Sequence, residues 1–182
     1  AFGHIDAAIR PDGDPARRVF GAGSLGLTST PHEVEYGARH HLAIRLGNVE
    51  ALDTLDMRDF EAVWANNLFE HLIAPHAFLM ELREVVRDDG RIVLGVPVVP
   101  TPSFLTCFRQ FRGALASNHI NFFTARTLRL SAERAGWVVE SVRPFVFKSP
   151  LLDTLVSWLA PHLYLVARKD ASFSYPPKKR KE

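Results

Sequence analysis

Cysteine is nearly absent from this chain: Cys107 stands alone among 182 residues, so no internal disulfide can form and the usage fits a reducing compartment. With no base near it in sequence, Cys107 is read as a small buried or half-buried residue. A long apolar run is missing as well. The richest stretch, LLDTLVSWLAPHLYLVA, is broken by Asp153, Pro161 and His162, too short and too interrupted for a bilayer span. Charge of one sign is not in excess: 22 Lys and Arg against 20 Asp and Glu leave a formal +2. A domain-wide attraction to nucleic acid is therefore not expected. The opening AFGHIDAAIRPDGD has neither the basic start nor the apolar core of a secretion leader. Together these absences point to a cytoplasmic location and away from a polyanionic partner; oligomeric state is not legible.

What is present is enough apolar material, 47%, for one compact core. Residues 1–170 read as a single domain, and 171–182, ending in PPKKRKE, as a basic, solvated and disordered tail. Along the domain, Thr30, Pro31 and Glu33 punctuate the start of a helix over 30–41. LAIRL (42–46) and EAVWA (61–65) read as strands. A helix begins at Pro75 and runs through PHAFLMELREVVRD, with Phe78, Leu79, Leu82, Val85 and Val86 on one face. RIVLGVP (91–97) is the next strand. Thr124 caps a helix that Gly136 closes, WVVESVRPFVF (137–147) is a long strand, Ser149 and Pro150 start a helix to Ala160 with Leu151, Leu152, Leu155, Val156 and Leu159 on one apolar side, and HLYLVAR (162–168) ends the pattern. Strands alternating with helices predict an α/β layer fold with a mainly parallel sheet. In such sheets, ligands sit at the carboxyl ends of the strands, which is where ANNLFEHL (65–72) places its amides, carboxylate and imidazole.

The order of these segments resembles the class I S-adenosylmethionine-dependent methyltransferases of the small-molecule branch. DFEAVWANNLFEHL is similar to that family's fourth-strand motif, and HAFLMELREVVRDDGRIVLGVP to its following helix, turn and fifth strand. HINFFTARTLRLSAERAGWVVESV is similar to the late segment before the sixth strand. GLTSTPHEVEYGARHHLAIRLGNVEAL covers the second strand through the adenine loop. The resemblance implies a Rossmann-like fold with helices on both faces of a mainly parallel sheet, an antiparallel last strand, and S-adenosylmethionine as cofactor. It implies methyl transfer to an oxygen or nitrogen of a small molecule. The chain departs from the pattern at its start. The first strand and most of the glycine-rich loop have no counterpart, only Gly3 remaining, and the chain opens on Ala1. We therefore read it as a piece of a longer protein, or as one that fills the gap irregularly.

Carried onto this sequence, the family's cofactor contacts fall on Gly3, Thr28, Asn48, Val49, Ala65 and Asn66. Thr28 stands where an acid ordinarily grips the ribose diol, and Asn48 where Asp is common. His71 and His119 are the candidate catalytic residues, because an imidazole ordinarily titrates near neutrality and can take a proton from an acceptor. Equally, His71 can pack beneath its turn with Glu70 pairing a neighbouring base. Relatives that methylate catechol-like rings hold a divalent metal with two acids and the histidine of this segment; here the earlier acidic place is Asn67, so no metal is assigned. Phe122 and Phe123 can wall a substrate, one of them being core. Two other readings stay open: a methyltransferase-like binding domain without catalysis, and a dinucleotide oxidoreductase using the G-x-G-x-x-G of GAGSLG, Gly21, Gly23 and Gly26. The acceptor itself is not legible; loops 98–123 and 144–160 are expected to choose it.

Overall fold

The computed structural model describes residues 25–147 and 149–175. Two parallel strands, β1 (Gly26–Thr28) and β2 (Ile44–Leu46), are joined by α1 (Pro31–Arg39). A second sheet contains β3 (Phe60–Asn66), β4 (Val86–Pro97), β5 (Trp137–Arg143) and β6 (His162–Lys169), in the order β3-β4-β6-β5. Helix α2 (Pro75–Val85) links β3 to β4, α3 (Ala125–Arg134) precedes β5, and α4 (Pro150–Val156) lies between β5 and β6. β3 and β4 pair in parallel, while β6 runs antiparallel to both β4 and β5. Three strands of this sheet thus point one way and the last opposes them, as expected for the α/β layer. Among the described residues no strand bridges the two sheets. No helix of the described residues is long and apolar enough to cross a membrane.

The core is built from the predicted faces. Phe78, Leu79, Leu82 and Val85 of α2 are buried, against Ile92, Leu94, Leu163 and Leu165 of the sheet. Each such side chain contributes about 1.5–3 kcal/mol of transfer free energy. Trp137, buried at the start of β5, also donates from Nε1 to the Leu79 carbonyl at 3.0 Å, so its polar edge is satisfied inside the core.

Several boundaries differ from the sequence reading. α2 ends at Val85, because Val86 is extended (φ −92°, ψ 134°) and pairs with Phe60. The Asp-Asp-Gly turn is instead a bulge inside β4, where the register jumps between Phe60 and Ala62. Lys169 Nζ pins this bulge, 3.0 Å from both the Val86 carbonyl and Asp88 Oδ1. β5 stops at Arg143, before Pro144, since proline cannot donate to a ladder. Thr30 precedes α1 without a side-chain cap bond, whereas Thr124 and Thr127 complete a reciprocal capping box on α3. Cys107 is exposed rather than half-buried.

The largest correction concerns α4. Its leucines face outward: Leu151 is 71% and Leu155 62% exposed, while Asp153 is fully buried. The Asp153 carboxylate accepts from the Val146 and Phe147 amides at 3.1 and 2.9 Å and from Arg143 Nη1 at 3.1 Å. Helix α4 is therefore anchored through its acid and not through its apolar stripe.

Gly136 marks the α3–β5 turn. Its φ of +80° is a left-handed conformation that suits glycine. A Cβ there would run into the Phe173 ring and come within 2.8 Å of Arg83 Nη1. The buried Arg83 donates to the carbonyls of Gly136 and Asp170, the latter at 2.7 Å, and its guanidinium lies 5.1 Å from the Phe173 ring. Residues 171–175, which the sequence places in the tail, thus include a ring packed on the body; residues 176–182 lie outside the described residues. Gly136→Ala is expected to destabilise by about 1–3 kcal/mol, combining backbone strain with overpacking. Urea unfolding followed by tryptophan fluorescence should show a lower midpoint at unchanged slope.

Candidate functional site

The carboxyl ends of β1, β3 and β4 are Thr28, Asn66 and Pro97. At the end of β3, Ala65 is fully buried, and Asn66 Oδ1 is a buried acceptor with no partner among the described residues. Gly95 of β4 makes this possible. A Cβ at that position would collide with Asn66 Oδ1 and lie 2.6 Å from the Tyr164 ring. The next residue, Asn67, turns the chain with a left-handed φ of 51°. Its amide donates to the Gly95 carbonyl at 2.8 Å, and its Oδ1 lies 3.1 Å from His162 Nε2.

Thr28 is buried, and its hydroxyl is committed: it donates to Glu33 Oε2 and accepts from the Thr30 amide at 3.1 Å. Glu33 comes from the first turn of α1, so a carboxylate does stand at the end of β1, supplied five residues downstream of the place where the family pattern puts it. On the sequence alone Glu33 reads as a helix-capping residue; the signal that would have found it is an acid one helical turn beyond a strand end that lacks one. In the adenine loop, Asn48 Oδ1 accepts from the Glu50 amide at 3.0 Å, capping the 3₁₀ turn Val49–Leu55, and Val49 packs against the core. Glu50 Oε1 in turn accepts from the amides of Ile73 and Ala74, the second at 3.1 Å. Glu50 thereby ties the Asn48 loop to the chain just after His71. Gly3 lies outside the described residues, as do Gly21 and Gly23. Gly26 is a buried strand residue in β1 and opens no helix, so the last glycine of GAGSLG does not sit in a dinucleotide turn.

His71 and His119, distant in sequence, meet. Their rings lie 4.7 Å apart, edge to face. The turn Phe69–His71 is stapled to the 119–121 segment by backbone amides of Ile120 and Asn121, both donating to the Glu70 carbonyl at 3.1 and 3.0 Å. Asn121 Nδ2 adds a bond to the Leu72 carbonyl at 2.6 Å. Beneath them Phe69 stacks on Phe123 at 4.9 Å, and Phe123 is the core member of the aromatic pair while Phe122 is exposed. His71 Nδ1 lies 3.0 Å from the Asn118 carbonyl and His119 Nδ1 3.2 Å from that of Ala114. A carbonyl only accepts, so each Nδ1 is the donor here, and in the neutral ring the lone pair then lies on Nε2.

Both Nε2 atoms lie 3.9 Å from Glu70 Oε1. Glu70 is 1% exposed, and neither carboxylate oxygen reaches a hydrogen-bond donor of another residue among those described. Burial pushes its carboxyl above the ordinary range, with its own amide and then the two imidazoles pulling the other way. The folded state therefore holds the Glu70 proton more tightly than the unfolded chain does. That contribution to stability is complete below the ordinary carboxyl pKa and is lost as pH rises through the raised one. Glu70→Gln is expected to remove this loss, so that thermal melts of the metal-free protein from pH 4 upward fall less steeply than those of the parent.

A separate hollow lies between the Val49–Leu55 turn and α2, lined by Leu52, Asp53, Asp56, Met57, Arg58, Glu81, Glu84 and Val85. Glu81 there accepts from the Leu52 amide at 2.9 Å. None of the predicted site residues lines it, and Glu81 serves to hold the turn on the helix.

A family model described as a methyltransferase domain matches residues 10–142. No curated protein matches the sequence. Among solved structures, the fold is shared with the complex between the Haloferax volcanii Trm112 methyltransferase activator and a methyltransferase (16% identity, 82% of this chain and 72% of that one, TM-score 0.58). It is shared too with an S-adenosylmethionine-dependent enzyme of Thermotoga maritima described as a possible histamine N-methyltransferase (15% identity, 80% and 72%, TM-score 0.57). A third is the Burkholderia thailandensis 1,6-didemethyltoxoflavin N1-methyltransferase with its substrate and S-adenosylhomocysteine (15% identity, 80% and 60%, TM-score 0.52). The chain belongs to the methyltransferase domain family, and the cofactor that family assigns to the site is S-adenosylmethionine.

Proposed function

We propose that this chain transfers a methyl group from S-adenosylmethionine to an oxygen or nitrogen of a small molecule. The observation that carries the reading is the pair of imidazole Nε2 lone pairs, those of His71 and His119, gathered just past the carboxyl end of β3. The residues present fit the cofactor. Glu33, aligned by Thr28, offers a carboxylate to the ribose hydroxyls at the end of β1. Asn48 Oδ1 keeps a second lone pair for an adenine amine, and the Val49 backbone sits beside it. Ala65 and Asn66 line the end of β3, with Gly3 expected to meet the methionine part.

When bound, the cofactor supplies an electrophilic methyl carbon on a sulfonium. What remains for the chain is to hold an acceptor in line with that carbon and to take its proton. His71 or His119 does the latter at Nε2, with Nδ1–H fixed by a backbone carbonyl, a role worth about 10²–10⁴ in rate. The exposed aromatics Phe104, Phe108 and Phe122 of the 98–123 segment are available to an apolar acceptor.

Calorimetry with S-adenosylhomocysteine should show saturable binding, and NAD should not bind. Transfer of labelled methyl to a panel of hydroxylated and amine-bearing small molecules should then identify an acceptor. Binding without transfer to any of them would favour the non-catalytic reading, and a folded sample that binds no cofactor product would overturn the proposal.

A further inference from the structure

We propose that Glu70, His71 and His119 bind a divalent transition-metal ion of the zinc class. One ligand atom from each residue lies within 4.8 Å of the others. What makes them a site is their convergence on one point. The backbone carbonyls of Asn118 and Ala114 hold the hydrogens on the two Nδ1 atoms, so both Nε2 lone pairs point toward the same carboxylate. That carboxylate is buried, and neither of its oxygens has a partner among the described residues. The two Nε2 atoms and Oε1 thus converge on one point that no other residue's hydrogen-bond donor occupies among the described residues. At 3.9 Å from Oε1, moving a proton to either Nε2 would leave a separation beyond ordinary hydrogen-bond reach. A cation at the centre satisfies all three at once.

The dimensions fit with modest closure. Bonds of about 2.0–2.1 Å in tetrahedral geometry put ligand atoms about 3.3 Å apart. The two Nε2–Oε1 separations of 3.9 Å need to shrink by about 0.6 Å to that value, and the ligand atoms as a set, within 4.8 Å of one another, draw in with them. The backbone already holds the two segments together through Glu70, Leu72 and Asn121, so side-chain torsions suffice. The Nδ1–H to carbonyl bonds are the arrangement that orients metal-bound imidazoles. Two imidazole nitrogens and one carboxylate suit borderline ions such as zinc or cobalt rather than oxygen-seeking calcium or magnesium.

The sequence argument against a metal rested on Asn67 in the place of a second acid. Asn67 is indeed turned away, toward His162. The third ligand comes instead from His119, on a different segment. Three protein ligands leave coordination positions open, and on the methyl-transfer reading, on which this role rests, an acceptor hydroxyl oxygen takes one of them. Coordination would lower the pKa of that hydroxyl; with both Nε2 atoms on the ion, water would take the proton in place of an imidazole, and the oxyanion so formed would be the nucleophile. The substrate class is thereby narrowed to hydroxylated molecules.

The test uses the full chain stripped with a chelator and titrated with Zn²⁺ by calorimetry and with Co²⁺ by visible absorption. One saturable site is expected, with the strong visible bands of low-coordinate cobalt. Glu70→Gln, nearly isosteric, and His119→Ala should each weaken affinity at least tenfold while circular dichroism and melting confirm a folded chain. Absence of binding, or equal affinity in both folded variants, overturns the site. Cofactor-product binding, measured separately, keeps the two ideas apart. Metal binding without it overturns the methyl-transfer role alone, and cofactor binding without metal overturns only the site.

Discussion

Asp153→Ala is expected to destabilise the protein by about 3 kcal/mol, more than replacement of any leucine in the same helix. The side chain is fully buried and accepts two backbone amides and one arginine. Truncation leaves the amides of Val146 and Phe147 without their acceptor and the Arg143 guanidinium without its counter-charge. An unmade buried hydrogen bond costs about 1–3 kcal/mol, and breaking a buried ion pair from one side about 3–5. Arg143 keeps a partly exposed side chain, so water recovers some of the loss and the lower end applies. Leu151→Ser and Leu155→Ser, at sites 71% and 62% exposed, should change stability by no more than about 0.5 kcal/mol. Thermal and urea unfolding of the three variants decide the matter. If the leucine variants unfold early and Asp153→Ala does not, α4 packs with the opposite face inward.

The second large effect concerns the cofactor. Glu33→Ala should weaken S-adenosylhomocysteine binding about ten- to a hundredfold, since a hydrogen bond to a charged acceptor contributes about 1.5–3 kcal/mol. Thr28→Val should cost less. Its hydroxyl already donates to Glu33 and accepts from Thr30, so its contribution is to aim the carboxylate rather than to meet the ribose. Calorimetry on both variants distinguishes the roles. Equal losses would return Thr28 to direct contact, and an unchanged constant for Glu33→Ala would remove the acid from the site.

These two residues also show what a linear reading can and cannot see. α2 was legible because Phe78, Leu79, Leu82 and Val85 repeat at helical spacing and all four are buried. The capping box on α3 was legible because its hydroxyls act within one turn. In α4 the same periodic signal pointed the wrong way. A leucine stripe says that a helix has an apolar face, but not that the domain covers it; the deciding partner, Arg143, lies on another element. Glu33 hid behind a second role that its position at the third residue of a helix suggests equally well. His119 could be named as a candidate, and His71 likewise, but their meeting depends on Asn121 bridging two segments, which no periodicity records. The bulge in β4 hid in an Asp-Asp-Gly triplet that ordinarily ends a helix. Local rules thus fixed most elements, and the pairings between distant segments set the site.

Because β6 alone opposes its neighbours, its two ends serve opposite rims of the sheet. His162 pairs with Pro97 and touches Asn67, while Lys169 pairs with Trp137 at the other rim. Eight extended residues separate these ends by roughly 23 Å. A fluorophore or surface tether placed next to Asp170 would therefore stand away from the rim that carries Asn66 and Asn67, leaving that rim of an immobilised sample open to ligands.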